Sequence, residues 1–138
     1  RVGSQPTVPS SNCTNTKSTS TATDLSCIEY VFSGGALRLD HINAGFNCCP
    51  GDITADFVVT GNTITISEHE SVAECNCNCL YDIEMLVGNL QLGTYHIVFN
   101  EPYAQQSGQG IEFTIDLTDS LNGSYCVQRN YYPWGLFN

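Results

Sequence analysis

Basic side chains are scarce in this sequence of 138 residues. Four Lys and Arg stand against 14 Asp and Glu, which gives a formal net charge of −10 at pH 7. A surface of that charge repels phosphate backbones and anionic lipid headgroups, so the composition argues against nucleic acids and acidic membrane surfaces as partners. No apolar run approaches the roughly 20 residues of a transmembrane helix, so no membrane span is expected.

The motifs that mark common catalytic and metal sites are missing as well. The sequence has no Gly-x-Ser-x-Gly elbow, no phosphate-binding loop and no HExxH motif. His41, His69 and His96 fall on three different predicted elements, without a cysteine or second histidine at ligand spacing. His69 stands between Glu68 and Glu70, where we expect an exposed histidine in a solvated strand end. The sequence therefore predicts neither an enzyme nor a protein that holds a cofactor or metal.

Cysteine, by contrast, is abundant. The chain has eight cysteines, and an even number at this density is typical of domains that fold in an oxidising compartment. The chain begins at Arg1 rather than at Met, as expected after removal of a signal peptide. Both features predict an extracellular protein, secreted or displayed on a cell surface.

Two cysteine-rich segments are suited to cross-link the fold through disulfides. The first is Cys48-Cys49, and the second, Cys75-Asn76-Cys77-Asn78-Cys79, runs directly into a predicted strand. Adjacent cysteines bridge each other only with strain, so pairs between the two segments are favoured, each contributing about 3–4 kcal/mol. A metal–thiolate cluster is the weaker alternative, because the C-x2-C pairs of structural zinc are missing. The predicted disulfide cysteines, with connectivity left open, are Cys13, Cys27, Cys48, Cys49, Cys75, Cys77, Cys79 and Cys126.

The first 24 residues differ in composition from the rest of the chain. Eleven of them are Ser or Thr, Pro6 and Pro9 break any helix, and only Val2, Val8 and Ala22 are clearly apolar. Such a segment has too little apolar surface to fold alone. It is either a disordered or O-glycosylated stalk, or an extended arm held by its own domain or by a neighbour. We therefore divide the chain into an arm, residues 1–24, and a domain, residues 25–138.

From Leu25 onward the apolar residues alternate with period two, which predicts half-buried strands. The hairpin signal is clearest at Gly61-Asn62, a two-residue loop that suits a type II′ turn. No segment shows a helical stripe. About seven or eight short strands predict an all-β fold, an antiparallel β-sandwich of immunoglobulin-like or jelly-roll-like type, with a small closed barrel as the alternative. The alternating segments lie at Ile28–Phe32, Leu37–Leu39, Phe57–Thr60, Thr63–Ile66, Tyr81–Val87, Tyr95–Phe99 and Ile111–Leu117.

Aromatic residues cluster at the C-terminus. Five of the eight residues from Tyr131 to Asn138 are large and apolar or aromatic. They either fold over the domain's own core or form an exposed patch that docks another subunit or stacks on sugar rings. Glycans are also expected as covalent attachments, because Asn12 and Asn122 stand in N-x-[ST] acceptor motifs.

In layout, a polar N-terminal arm followed by a cysteine-rich β-sandwich, the chain resembles the subunits of donor-strand pili. In those fibres an N-terminal extension completes the sandwich of the next subunit. An extended arm of 24 residues reaches about 80 Å, whereas the remaining domain is roughly 35 Å across, so the arm can cross a neighbour. The resemblance implies a structural subunit of an extracellular fibril or pilus that assembles head to tail into a homopolymer.

This hypothesis places residues of the arm and of the aromatic tail at the subunit interface. The predicted interface residues are Val2, Val8, Thr14, Thr16, Thr19, Thr21, Tyr132, Trp134 and Phe137. The alternative function is a secreted carbohydrate-binding or adhesin module, which would bind surface glycans through the tail around Trp134 and through acidic loops.

Overall fold

The computed structural model describes residues 2–5, 22, 24–104, 110–129 and 134. The described residues form β-strands and turns without any helix, and so contain no helix that could cross a membrane. This confirms the predicted all-β class. The strands are β1 Val2–Gln5, β2 Leu25–Ser33, β3 Ala36–Asn47, β4 Ile53–Thr60, β5 Thr63–Glu70, β6 Asn78–Val87, β7 Thr94–Asn100, β8 Ile111–Asp116 and β9 Asn122–Gln128.

The strands form two sheets, in the orders β1-β6-β3-β2-β9 and β4-β5-β7-β8. All neighbours are antiparallel except β5 and β7, which run parallel. The prediction of a purely antiparallel fold is therefore wrong at this pair. The physical reason is the path of the chain: after β5 it crosses to the first sheet as β6 before it returns as β7. A crossover connection of this kind permits parallel pairing, which a tight hairpin does not.

The main hydrophobic cluster takes side chains from strands of both sheets, and a smaller one contains Leu80, Ala104 and Trp134. β8 shows the predicted alternation clearly, because Ile111, Phe113 and Ile115 are buried while the residues between them are exposed. Burying a side chain of this size contributes about 1.5–3 kcal/mol. The period-two pattern of the sequence thus identified the inward faces of the strands.

The hairpin between β4 and β5 is confirmed in detail. Thr60 pairs with Thr63 across the two-residue loop, and Gly61 adopts a φ of 60°. The first central residue of a type II′ turn requires a positive φ, which glycine adopts without the steric cost that a Cβ adds.

Two strands depart from the sequence pattern. β3 extends to Asn47 as the central strand of its sheet, and its register with β6 shifts between His41 and Ala44, where Asn43 has a φ of 64°. The irregularity changes which side chains face inward, so the alternation that marks Leu37 and Leu39 is lost beyond it. β9 is a polar edge strand with little apolar alternation, and its sequence reads as a turn.

The disulfides join the segments that the sequence predicts. Cys48 pairs with Cys77 and Cys49 with Cys75, whereas Cys27 of β2 pairs with Cys126 of the adjacent β9. All seven described cysteines are disulfide-bonded, including Cys79. Disulfides rather than a metal–thiolate cluster therefore account for the cysteines that the structure describes.

The start of the arm lies against the chain's own domain. β1 pairs with β6 in antiparallel register, with Val2 opposite Val87 and Gln5 opposite Glu84, and it also contacts β4 of the second sheet. β1 therefore forms the edge of the first sheet. Several predicted residues lie outside the described part of the chain: Val8, Asn12, Cys13, Thr14, Thr16, Thr19, Thr21, Tyr132 and Phe137.

Candidate functional site

A cluster of charged side chains is buried between the sheets. His41 lies on β3, Glu68 on β5, Glu101 directly after β7 and Arg129 directly after β9, and each side chain is at most 2% exposed. Burying charges costs several kcal/mol per ion unless they are paired. The contacts among these four side chains therefore decide whether the fold tolerates their burial.

The parallel pair β5–β7 brings the two carboxylates together. On β5 the buried positions are Ile64, Ile66 and Glu68, so Glu68 occupies the third inward position of an apolar face. Ser67 pairs with Asn100 in the parallel register, so the next residues, Glu68 and Glu101, follow side by side where the two strands end. This neighbourhood depends on which strands pair, and it cannot be read from either segment alone.

His41 contacts a residue of each sheet through its two ring nitrogens, Glu68 of the second sheet through Nδ1 and Ser26 of its own sheet through Nε2. Its Nδ1 lies 2.5 Å from Oε2 of Glu68, and its Nε2 lies 3.0 Å from Oγ of Ser26. The Ser26 hydroxyl oxygen also lies 3.2 Å from the carbonyl oxygen of Asn43. The hydroxyl has one proton, which it donates to a neighbouring carbonyl oxygen or to Nε2, according to the tautomer of His41.

The electrostatic surroundings of His41 raise its pKa. Burial lowers the pKa of His41, but the attraction of the Glu68 and Glu101 carboxylates outweighs burial, and the net shift is upward. Burial also raises the pKa of Glu68, against the effect of the neighbouring His41. The pair is thus held together by one proton between the imidazole and the carboxylate.

Arg129 forms the second ion pair of the cluster. Its Nη1 donates to Oε1 of Glu101 at 2.8 Å and its Nη2 donates to Oε2 at 2.6 Å, a bidentate geometry. The guanidinium carbon lies 4.6 Å from the centre of the Trp134 ring, and Trp134 Nε1–H donates to the carbonyl oxygen of Asn43 at 2.7 Å. Trp134 therefore forms one wall of the cluster.

The position of Trp134 corrects one prediction from the sequence. The interface and sugar-binding hypotheses both place Trp134 on an exposed aromatic patch, yet it is fully buried in its own chain. It packs with Leu80 and Ala104 and covers the guanidinium of Arg129. The physical reason is that an aromatic face in contact with the guanidinium offsets part of the cost of burying that charge. For this residue, the alternative of folding over the domain's own core is the one observed.

A cleft of about 440 Å³ opens beside the cluster, where β5 and β7 end. Glu68, Glu70 and Glu101 contribute to its lining. Glu70 accepts hydrogen bonds from the Tyr103 hydroxyl and from the backbone N–H of Asn47. Burial and the hydrogen bond to Glu70 raise the pKa of Tyr103 to about 12. The cleft is thus acidic and opens towards the buried ion pairs.

The structure separates the three residues that the sequence groups as a solvated strand end. His69 is exposed, as predicted, and its Nε2 lies 3.2 Å from Oδ2 of Asp56. Glu68 is fully buried, so the prediction is wrong for that residue. The sequence does indicate this burial, because Glu68 continues the inward-facing positions of Ile64 and Ile66. A buried carboxylate has to be paired with another side chain or bound to a ligand.

The order Ser26, His41, Glu68 resembles the chain of contacts in a catalytic triad, but the geometry does not support nucleophilic catalysis. Ser26 is fully buried, so its hydroxyl is not accessible to a substrate, which nucleophilic catalysis requires. The cluster can instead hold charges, and its histidine and two carboxylates are the described residues that could hold a metal ion.

Two other predicted features lie apart from the cluster. His96 pairs with Glu112 at 2.5 Å on the exposed outer face of the second sheet. Asn122, the acceptor of the second glycosylation motif, is exposed at the start of β9. Neither residue extends the buried site.

No family model, no curated protein and no solved structure matches this chain. These comparisons therefore assign no function to the protein.

Proposed function

We propose that the protein is a structural subunit of an extracellular fibril or pilus, in which β1 of one subunit adds to the β6 edge of the next. The observation that carries the proposal is the backbone pairing of β1 with β6, from Val2 opposite Val87 to Gln5 opposite Glu84. Strand addition gains its affinity from main-chain hydrogen bonds. A polar arm with few bulky side chains is therefore still a suitable donor.

The length of the arm allows the same strand to serve a neighbour. In the sequence residues 6–24 separate β1 from β2, and a fully extended chain of that length reaches at most roughly 60 Å, at about 3.3 Å per residue. The domain is roughly 35 Å across. The contacts that β1 makes with its own β6 are the contacts it makes with an identical neighbour, so exchange of the strand costs little and, when repeated head to tail, builds a filament.

A disulfide strengthens this assembly. Cys79 on β6 is disulfide-bonded, and the other six described cysteines form three pairs with one another. Cys13 is the remaining cysteine of the sequence, and we propose it as the partner of Cys79. A Cys13–Cys79 bond anchors the arm along the strand with which β1 pairs. In the exchanged assembly this bond is intermolecular.

The wider setting of the proposal follows from the same features. Disulfides at this density are typical of secreted proteins, and we propose that the two sheets pack as the β-sandwich that the sequence predicts. The exposed Asn122 is accessible to a glycan. The alternative of a carbohydrate-binding module loses its expected stacking platform, because Trp134 is buried.

Electron microscopy and non-reducing electrophoresis of the native protein test the proposal together. We expect filaments of about domain width and, after denaturation without reductant, a ladder of covalent multiples of 15.0 kDa. Reduction should collapse the ladder to a single band. Cys13→Ser should abolish the ladder while leaving filaments that are held by strand pairing alone.

A proline variant tests the strand pairing separately. Successive N–H groups of a strand point to opposite sides, so in the double variant Gly3→Pro/Ser4→Pro one proline must remove a donor that faces β6. We expect loss of filaments in this variant. Ala73→Pro, in an exposed loop outside the strands, is the control and should assemble normally. Discrete monomers of the unaltered protein, seen by light scattering and microscopy, would contradict the proposed function.

A further inference from the structure

We propose that His41, Glu68 and Glu101 form a binding site for a divalent transition-metal ion, with Zn²⁺ as the preferred ion. Each residue offers one ligand atom, and the three atoms lie within 4.8 Å of one another in the buried core. The proposal is independent of fibril assembly, because all three ligands belong to the same domain and none lies on the arm.

The donor set fits zinc. An imidazole nitrogen and carboxylate oxygens bind Zn²⁺ at about 2.0–2.2 Å in tetrahedral geometry, where ligand atoms lie about 3.4 Å apart. Atoms already within 4.8 Å of each other need to move inward by less than about 1 Å each. Calcium prefers six to eight oxygen ligands, so a site with an imidazole and few ligands favours zinc.

An unpartnered oxygen provides the second, independent observation. Oε1 of Glu68 is fully buried and has no hydrogen-bond partner among the described residues, whereas Oε2 of the same carboxylate contacts His41. Leaving a buried carboxylate oxygen without a partner costs free energy. A metal ion at the cluster gives this oxygen a partner, and it replaces one of the two hydrogen bonds that the ring nitrogens of His41 make to Glu68 and Ser26.

The charges of the cluster favour a bound cation. Two carboxylates face one guanidinium, so the site carries one excess negative charge whenever the imidazole is neutral. Arg129 already holds Glu101 in a bidentate pair. Each carboxylate oxygen has two lone pairs, so Glu101 can bind a metal while it keeps Arg129 as the outer partner that orients it.

The acidic cleft lies directly beside the site. Glu68 and Glu101 line the cleft of about 440 Å³ together with Glu70, and the chain carries a net charge of −10. A cleft lined by one sign of charge concentrates ions of the opposite sign. Water from the cleft is available as the fourth ligand, the arrangement of zinc sites with three protein ligands.

Calorimetric titration of the full, non-reduced chain with Zn²⁺ tests the proposal. We expect one ion bound per chain and a saturable rise in melting temperature, because a ligand that binds only the folded state stabilises it. Co²⁺ in the same site should give a tetrahedral visible spectrum without thiolate charge-transfer bands. Such a spectrum distinguishes this site from cysteines released by reduction.

Matched variants locate the ion. Glu68→Gln keeps the shape of the side chain but removes the carboxylate, and it should lower the affinity at least about 100-fold, more than loss of an outer partner does. His69→Gln alters the exposed histidine beside the cleft, and His96→Gln alters the histidine of the outer face. Both should bind Zn²⁺ as the unaltered protein does.

Two results would overturn the proposal. One is an unaltered protein that fails to bind Zn²⁺ at one ion per chain, a result that stands whether or not the Glu68→Gln variant folds. The other is binding that survives in Glu68→Gln but is lost in His69→Gln or His96→Gln, which would assign the ion to surface histidines. Neither result depends on whether the protein forms filaments.

Discussion

Arg129 shows at the scale of a single residue how a buried charge is accommodated in this molecule. Its guanidinium is fully buried, paired through two hydrogen bonds to Glu101 and covered by the ring of Trp134. A buried ion pair contributes little net stability relative to apolar side chains of the same volume, but removing one partner leaves an uncompensated buried charge. The pair is therefore a sensitive point of the core.

We predict that Arg129→Met destabilises the fold by about 3–5 kcal/mol, because it leaves the Glu101 carboxylate buried without its cation. The free energy of unfolding in urea, measured without reductant, checks this value. The double variant Arg129→Met/Glu101→Gln removes both charges and should recover a large part of the loss. A double variant as unstable as the single one would show that packing, rather than the unpaired charge, sets the cost.

The sequence indicates the burial of some of these charged residues and not of others. Glu68 could have been recognised, because it continues the inward positions of Ile64 and Ile66. Arg129 and Glu101 could not, since each follows a strand in a polar context and neither segment indicates that the other lies beside it. Their pairing depends on how β7 and β9 are placed in two different sheets.

At the scale of secondary-structure elements, the turns and strand faces follow local rules. The β4–β5 hairpin forms where the sequence has Gly61-Asn62, and the apolar alternation of β6, β7 and β8 matches their buried faces. The apolar alternation does not predict the buried face of β3 beyond its register shift with β6. It also does not predict β9, whose polar sequence forms a strand by pairing with the edge of β2.

The hairpin yields a prediction at this scale. Gly61→Ala should destabilise the fold by about 1–2 kcal/mol, because an alanine at a φ of 60° brings its Cβ close to the following carbonyl oxygen. Apart from Gly61 and its two chain neighbours, no atom lies within 4 Å of the position that the new methyl group would occupy, so the cost comes from the local backbone conformation and not from crowding by other parts of the fold.

Gly88→Ala is the matched control, since that glycine also faces open space but has no positive φ. It should change the melting temperature little. Equal losses of stability in the two variants would show that the turn conformation is not what limits the hairpin.

At the scale of the whole molecule, disulfides connect distant parts of the chain. Cys27–Cys126 joins residues 99 positions apart and ties the edge strand β9 to β2, whereas Cys49–Cys75 spans 26 positions. In the chain-entropy model a cross-link stabilises the fold by restricting the unfolded chain, and more so for a longer loop.

We therefore predict that Cys27→Ala/Cys126→Ala lowers the free energy of unfolding by about 4–5 kcal/mol, and that Cys49→Ala/Cys75→Ala lowers it by about 3–4 kcal/mol. Chemical denaturation of the two double variants under the same oxidising conditions checks the order. A reversed order would mean that local packing around Cys49 and Cys75, rather than loop length, governs their contribution.

The sequence by itself determined the all-β class, the faces of most strands, the β4–β5 turn and the pairing of Cys48 and Cys49 with the second cysteine segment. These features depend on contacts between neighbouring residues or on covalent spacing. Only the tertiary structure decided the parallel pairing of β5 with β7, the burial of Trp134 and the meeting of His41, Glu68 and Glu101. Those features depend on which strands lie side by side, a choice made by the packing of the whole core rather than by any one segment.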